Sequence, residues 1–145
     1  MPGMQMPDLV LAALLVVASI IDVRRRILPD PLACSIVSCS ALSACMADGA
    51  HGMAMNLFWG ALTGFAVVLT EMGWRHAKGS VGIGGGDIKL LVACMARDPQ
   101  WALASFCAGL IALAMAGCAL SRRSLPFIPF FTLAGLATMP QLAGG

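Results

Sequence analysis

The sequence has few charged residues. Only 11% of its 145 residues are Asp, Glu, Lys or Arg, whereas 59% are hydrophobic, and the mean hydropathy is +0.88. Because a soluble domain carries about 25% charged residues, this composition excludes an ordinary soluble fold. Apolar runs recur along most of the chain, and a helix needs about 20 residues to cross a hydrocarbon core. We therefore predict an all-α, polytopic membrane protein with a single domain over residues 1–145.

Other absences exclude several kinds of site. The six cysteines form no C-x-x-C pair and none lies near either histidine, which argues against a disulfide framework or a zinc site. The glycine cluster at 82–86 is not followed by G-K-[ST], so it is not a P-loop. We expect no metal, no cofactor and no nucleic-acid partner. The first eight residues hold no Lys or Arg, so we expect a retained membrane helix rather than a cleavable signal peptide.

Apolar runs and the breaks between them predict about six transmembrane helices. The fourth starts near Gly86 or Asp87 and stops before Arg97, so it rises only about 15 Å. Either it is short and shielded by its neighbours, or the chain enters the membrane earlier, near Val81. A polar turn is expected at 48–52. The other predicted ranges are about 9–21, 31–47, 53–74, 101–120 and 127–142.

The basic residues predict the orientation of these helices. Connections after the first, third and fifth helices hold almost all of them, whereas the opposite connections hold only Arg97. Basic loops remain in the cytoplasm, so the odd-to-even connections are expected there and both termini outside. The cytoplasmic set comprises Arg24, Arg25, Arg26, Arg75, Lys78, Arg122 and Arg123.

Two aspartates are expected at the same end of this bundle. Asp22 ends the first helix and Asp87 begins the fourth, so both lie at the cytoplasmic side although they are 65 positions apart. An acid at membrane depth is costly and is by default a functional candidate. Two such carboxylates could share a proton and activate water, as in aspartic proteases. The alternative is that Asp22 is an interfacial acid paired with the arginines that follow it, and without Asp87 this alternative would be favoured.

The residues around the two aspartates suggest supporting roles. Gly82, Gly84, Gly85 and Gly86 allow positive φ and the close approach of an extended peptide. Asp30 before a proline is typical of an N-cap. Lys89 lies roughly 200° around the helix from Asp87, which favours a snorkelling role. Glu71 is expected to snorkel or to pair with Arg75, one turn further on.

Three stretches resemble the type IV prepilin peptidase family of membrane aspartyl proteases. They occur in the family's order and span most of the chain. The first is similar to the family's first catalytic segment, the second to its G-x-G-D motif and the third to its P-F-x-P-F element. In this chain they are Asp22 with the arginines 24–26 and Ile27-Leu28-Pro29, then Gly84-Gly85-Gly86-Asp87-Ile88-Lys89-Leu90, then Leu125-Pro126-Phe127-Ile128-Pro129-Phe130.

The resemblance implies a leader peptidase whose catalytic pair is Asp22 and Asp87. Its substrate would be a prepilin with a basic leader, cut after a glycine at the cytoplasmic face of the bacterial inner membrane. The chain looks like the short, protease-only peptidases of tight-adherence (Flp) pilus systems, which implies no methyltransferase domain. The lipid bilayer is the other expected partner. Residues of active-site support would be Pro29, Asp30, Gly84, Gly85, Gly86 and Lys89.

Two other readings remain open. One is a membrane protein without catalysis, either an ion or proton path through the two aspartates or a pilus assembly factor. No inverted repeat relates the two halves, which weakens a transporter. The other is a degenerate relative that binds prepilins without cutting them, although both aspartates are present. A further hypothesis is that Asp30 or Glu71 receives the basic leader, which the basic loops would otherwise repel.

Overall fold

The computed structural model describes residues 6–121 and 125–139, and within these ranges every regular element is a helix. The all-α prediction is confirmed. The helices are α1 (Met6–Arg25), α2 (Asp30–Lys78), α3 (Gly85–Met95), α4 (Pro99–Leu120) and α5 (Ile128–Thr138). By length and composition α1, α2 and α4 are apolar enough to cross a membrane, and α5 is a shorter apolar helix. Large side chains such as Phe58, Phe65 and Leu133 cover the outside of the bundle, as a lipid-facing surface requires.

The first helix is longer than predicted. It has 20 residues and is about 30 Å long, so it can cross a bilayer without help from its flanks. Asp22 does not end it, because the helix continues for three residues to Arg25. Arg24 and Arg25 lie in its last turn, where the helix dipole favours positive charge. The chain then leaves the helix at Arg26, whose φ is 54°.

The second and third predicted helices form one helical stretch, α2, with a single break. Only Gly49 has non-helical torsions (φ 74°, ψ −178°), so the predicted polar turn at 48–52 is wrong in extent. Positive φ costs glycine little, which is why the break falls there. Both ends of α2 lie beside the start of α3: Asp30 bonds Lys89, and Glu71 accepts hydrogen bonds from the loop at Gly82. The two arms of α2, residues 30–48 and 50–78, therefore run antiparallel.

Helix α3 is short and is shielded by its neighbours, which is the first of the two alternatives above. Its 11 residues rise about 16 Å. It packs between α2 and α4, and Leu90, Leu91 and Cys94 are fully buried. Glycines on α2 permit this close packing, since a Cβ at Gly64 would lie 2.5 Å from a methyl of Val92.

The last two helices pack against each other and against α1. Helix α4 begins two residues earlier than predicted, because Asp98 caps it by accepting from the N–H groups of Gln100 and Trp101 (2.8 and 3.2 Å). Helix α5 joins α4 through the edge-on rings of Phe106 and Phe127, 5.1 Å apart. It joins α1 through a hydrogen bond from Ser19 to Thr132 (2.7 Å). The predicted end of the last helix, beyond residue 139, and the basic pair 122–123 lie outside the described residues.

Candidate active site

One end of the bundle holds a cavity of about 580 Å³. Four parts of the chain form its wall: the end of α1, the loop before α3 with the first turn of that helix, the middle of α4, and the segment that leads into α5. Both predicted catalytic aspartates are in this wall. The lining residues are Asp22, Arg26, Ile27, Leu28, Val81, Gly82, Gly84, Gly85, Gly86, Asp87, Leu113, Gly117, Leu125, Pro126, Phe127 and Ile128.

Asp22 is held in place by the start of α5. Its side chain is only 7% exposed, and its Oδ2 accepts a hydrogen bond from the backbone N–H of Ile128 (3.1 Å). The first N–H groups of a helix have no partner within the helix, so this carboxylate serves as one and gains from the helix dipole. Arg26 follows one turn later; its backbone N–H donates to the Asp22 carbonyl (2.8 Å) and its charge acts on the Asp22 carboxylate.

Asp87 lies in the first turn of α3, three residues after the N-cap Gly84. Its backbone N–H donates to the Gly84 carbonyl (3.0 Å), and its carboxylate turns back toward the N-terminus of the helix. A Cβ at Gly84 would lie 3.0 Å from Oδ2 of Asp87, so a larger residue at this cap would push the carboxylate aside. The carboxylates of Asp22 and Asp87 are close enough to repel each other. Two neighbouring carboxylates disfavour the state in which both are ionised.

The loop between α2 and α3 is attached to a buried acid. Glu71, only 6% exposed, accepts hydrogen bonds from the backbone N–H groups of Gly82 (3.1 Å) and Ile83 (2.8 Å). It also forms the expected ion pair with Arg75, whose Nε lies 2.8 Å from Oε1. This carboxylate therefore fixes the glycine loop from the side of α2.

The remaining residues proposed as active-site support fall into two groups. Gly84, Gly85 and Gly86 line the cavity. Among the described residues that line it, Pro29, Asp30 and Lys89 do not appear. Asp30 is not the N-cap of α2, since Pro29 occupies that position and makes no side-chain cap. The Asp30 carboxylate instead pairs with the Lys89 ammonium across to α3, and both side chains are well exposed. Lys89, for which a snorkelling role was predicted, thus forms an exposed ion pair with Asp30.

Sequence reasoning missed two contacts that shape the site. One is the hydrogen bond from the Ile128 N–H to Asp22. The available signal was that the last predicted helix begins at the same end of the bundle at which Asp22 was expected. The other is Glu71 on the glycine loop. The i,i+4 rule found its partner Arg75 but says nothing of the loop amides. No group of three or more His, Cys, Asp and Glu side chains within the described ranges could hold a metal ion.

The fold and the cavity together define a class: an apolar helical bundle with a pair of carboxylates in a cavity at one end. Comparison with known proteins agrees with this class. The model of the type IV leader peptidase family matches residues 9–140, which is most of the chain. No curated protein and no solved structure matches the chain. The protein belongs to the type IV leader peptidase family, a family of membrane proteases.

Proposed function

We propose that the protein is an intramembrane aspartyl endopeptidase that removes the leader from type IV prepilins. The observation that carries this proposal is that Asp22 and Asp87, 65 positions apart in sequence, line one cavity. Membership of the leader peptidase family supplies the substrate class. The glycine loop and the segment before α5, which carry the other two motifs, line the same cavity.

The proposed mechanism uses one proton shared between the two carboxylates. The ionised carboxylate takes a proton from water, while the protonated one donates a hydrogen bond to the scissile carbonyl. Water oxygen then bonds to the carbonyl carbon, and the tetrahedral intermediate collapses with cleavage of the C–N bond. The leaving nitrogen receives a proton from the pair, which returns to its starting state. Because the two groups act as a unit, their titration belongs to the pair rather than to either residue.

The proposed location of the cavity is the cytoplasmic face of the bacterial inner membrane. Arg26 lines the cavity and Arg75 is bonded to the acid behind its loop, so basic residues gather at this end. Basic segments favour the cytoplasmic side, which would place both termini outside. The resemblance to short members of the tight-adherence systems leads us to propose Flp-type prepilins as substrates and peptidase activity without N-methylation.

The structure narrows the hypothesis about the leader. Glu71 is buried and already accepts three hydrogen bonds, so it is not free to receive a basic peptide. Asp30 is exposed, and it lies two residues after Leu28, which lines the cavity. We propose Asp30 as the acidic group that meets the basic leader.

Co-expression with an Flp-type prepilin tests the function directly. In Asp22→Asn and in Asp87→Asn, we expect leader removal to fall by about a thousandfold or more, because each carboxylate supplies a step that the other cannot. Asp48→Asn is the matched control, since Asp48 is an exposed acid outside the cavity. Gel shift measures cleavage, immunoblotting checks membrane levels, and mass spectrometry of the product tests for a cut after glycine and no added methyl group.

Either aspartate variant that still cleaves would contradict the two-carboxylate mechanism and favour the ion-path alternative. Binding of prepilin by the wild-type protein without cleavage, repeated with a second prepilin, would instead favour a degenerate relative.

A further inference from the structure

We propose that Glu71 is a positioning residue that fixes the loop 79–84 and thereby sets Asp87 opposite Asp22. The inference rests on the proposed peptidase function and adds a residue to it. Glu71 belongs to α2 and is not among the described residues that line the cavity. It would act through the loop alone, without touching the substrate or the water.

The carboxylate of Glu71 is buried and fully hydrogen-bonded. Its carboxylate is nearly inaccessible, with 6% exposure, and both oxygens are engaged: Oε1 by Gly82 N and Arg75 Nε, Oε2 by Ile83 N. A buried carboxylate is costly unless it is hydrogen-bonded, and charge-assisted bonds are about twice as strong as neutral ones. The loop amides therefore stabilise the buried carboxylate, and the carboxylate in turn holds the loop amides in place.

The loop has little else to hold it between the two helices. At one end, the N–H of Gly79 bonds the Arg75 carbonyl; at the other, the N–H of Asp87 bonds the Gly84 carbonyl. Between these bonds Val81 is 62% exposed and Ile83 is only partly buried, so no fully buried apolar side chain fixes the position of the loop. In the described part of the chain, the two amides in the middle of the loop both donate to Glu71. Glu71 is thus the point at which the loop meets the bundle.

The position of the loop decides where α3 begins and hence where Asp87 lies. Gly82 and Gly84 line the cavity, and Gly84 is the N-cap of α3, whose carbonyl accepts from the Asp87 N–H (3.0 Å). The loop also fits tightly behind the cavity. A Cβ at Gly82 would lie 3.0 Å from Oε2 of Glu71 and 3.1 Å from Cδ1 of Trp74. A displaced loop would move the cap and the carboxylate together.

Glu71→Gln is the first variant, since it keeps the size of the side chain but replaces one acceptor oxygen with an NH₂ group. That group cannot accept from a loop amide. With purified full-length protein in detergent and a prepilin substrate, we expect kcat to fall about 10- to 100-fold with KM little changed, because a displacement of about 1 Å can cost about 100-fold. Thr70→Val is the matched control: Thr70 is exposed on the same helix and bonds only the carbonyl of Ala66 (2.8 Å).

Hydrogen exchange gives a readout that does not depend on catalysis. We expect faster exchange of the amides in 79–84 in Glu71→Gln than in wild type or Thr70→Val. Unchanged exchange would overturn the proposal, whatever the activity. Faster exchange with unchanged kcat would also overturn it, because the loop would then not position Asp87. If wild type fails to cleave, the proposed function fails, and exchange alone still decides whether Glu71 holds the loop.

A second variant reaches the same contact from the loop. Gly82→Ala pushes a methyl group against Glu71 and Trp74, so we expect a fall in kcat of similar size even if Glu71→Gln folds poorly. If both act on one contact, the double variant should be no more than about threefold worse than the poorer single variant, since coupled sites are not additive. Fully multiplicative losses would show independent effects and contradict the proposal.

Discussion

Helix α1 carries a buried aspartate at each end of the bundle, and the two have opposite surroundings. Asp8 is completely buried; it pairs with Arg97 Nε at 2.9 Å and accepts a hydrogen bond from Ser43. Asp22 is almost as buried, but it faces a second carboxylate, Asp87, across a cavity. The residue type and the helix are the same, so the partners that other helices supply decide the role. A paired charge holds the bundle together, whereas a repelled charge in a cavity is available for chemistry.

The Asp8 end also links the two helices that carry the proposed catalytic pair. Helices α1 and α3 have no extensive contact with each other; α1 packs on α2 and α5, and α3 on α2 and α4. The Asp8–Arg97 pair joins the start of α1 directly to the end of α3. Both arms of α2 bond to this pair as well. Ser43 on the first arm donates to Asp8, and Asn56 on the second donates to the Arg97 carbonyl (2.9 Å). A polar network at one end thus fixes two helices whose other ends carry the two carboxylates of the cavity.

The largest expected effect comes from breaking the Asp8 end. Asp8→Asn leaves the Arg97 guanidinium buried without its counter-charge, which typically costs about 3–5 kcal/mol of unfolding free energy. Asp22→Asn should cost less than about 1 kcal/mol, because Asn can still accept from Ile128 and the repulsion from Asp87 is removed. Denaturant unfolding in detergent, followed by circular dichroism, measures both.

The double variant Asp8→Asn/Arg97→Gln serves as the control, because removing both charges leaves neither uncompensated. It should be less destabilised than the sum of the two single variants. Equal losses of unfolding free energy in Asp8→Asn and Asp22→Asn would contradict the proposed difference between the two ends.

The sequence predicted the cavity end better than the Asp8 end for a physical reason. Successive predicted helices alternate in direction, so the end of the first and the start of the fourth are expected on the same side, which brings Asp22 and Asp87 to one end of the bundle. Helices follow from apolar runs, whose length is set by the bilayer. Asp8 and Arg97 look like ordinary polar residues at helix ends, and nothing local joins residues 89 positions apart. The break at Gly49 was predicted, but as a turn of five residues, because a polar stretch with glycine resembles a loop even where the helix continues on both sides.

A smaller effect on stability is expected from adding a methyl group at two glycines: Gly64, where α2 packs on α3, and Gly85, at the start of α3. A Cβ at Gly64 would lie 2.5 Å from Val92, whereas a Cβ at Gly85, beside the cavity, meets nothing within 4 Å. Overpacking costs about 1–3 kcal/mol, so Gly64→Ala should destabilise by that amount. Gly85→Ala should leave the unfolding free energy unchanged or slightly raised, since alanine is preferred to glycine in a helix.

The same denaturant titration compares these two glycine variants. Similar losses for both would mean that the cavity end is packed as tightly as the rest of α3, and the contrast between an open and a filled end would be lost.

The smallest effect on stability is expected from Asp30 and Lys89, an ion pair near the cavity end that is exposed rather than buried. With side chains 78% and 53% exposed, it should contribute no more than about 1 kcal/mol, because water screens it and two mobile side chains must be ordered.

The proposed importance of Asp30 lies in binding the leader. Asp30→Asn should raise KM about threefold or more for a prepilin with a basic leader, and Lys89→Met, which releases the carboxylate, should lower it. Neither variant should alter KM for a leader whose basic residues are replaced by glutamine, and the difference should shrink at high salt. If Asp30→Asn leaves KM unchanged for leaders of both kinds, Asp30 does not receive the leader, and the exposed ion pair has no role in binding.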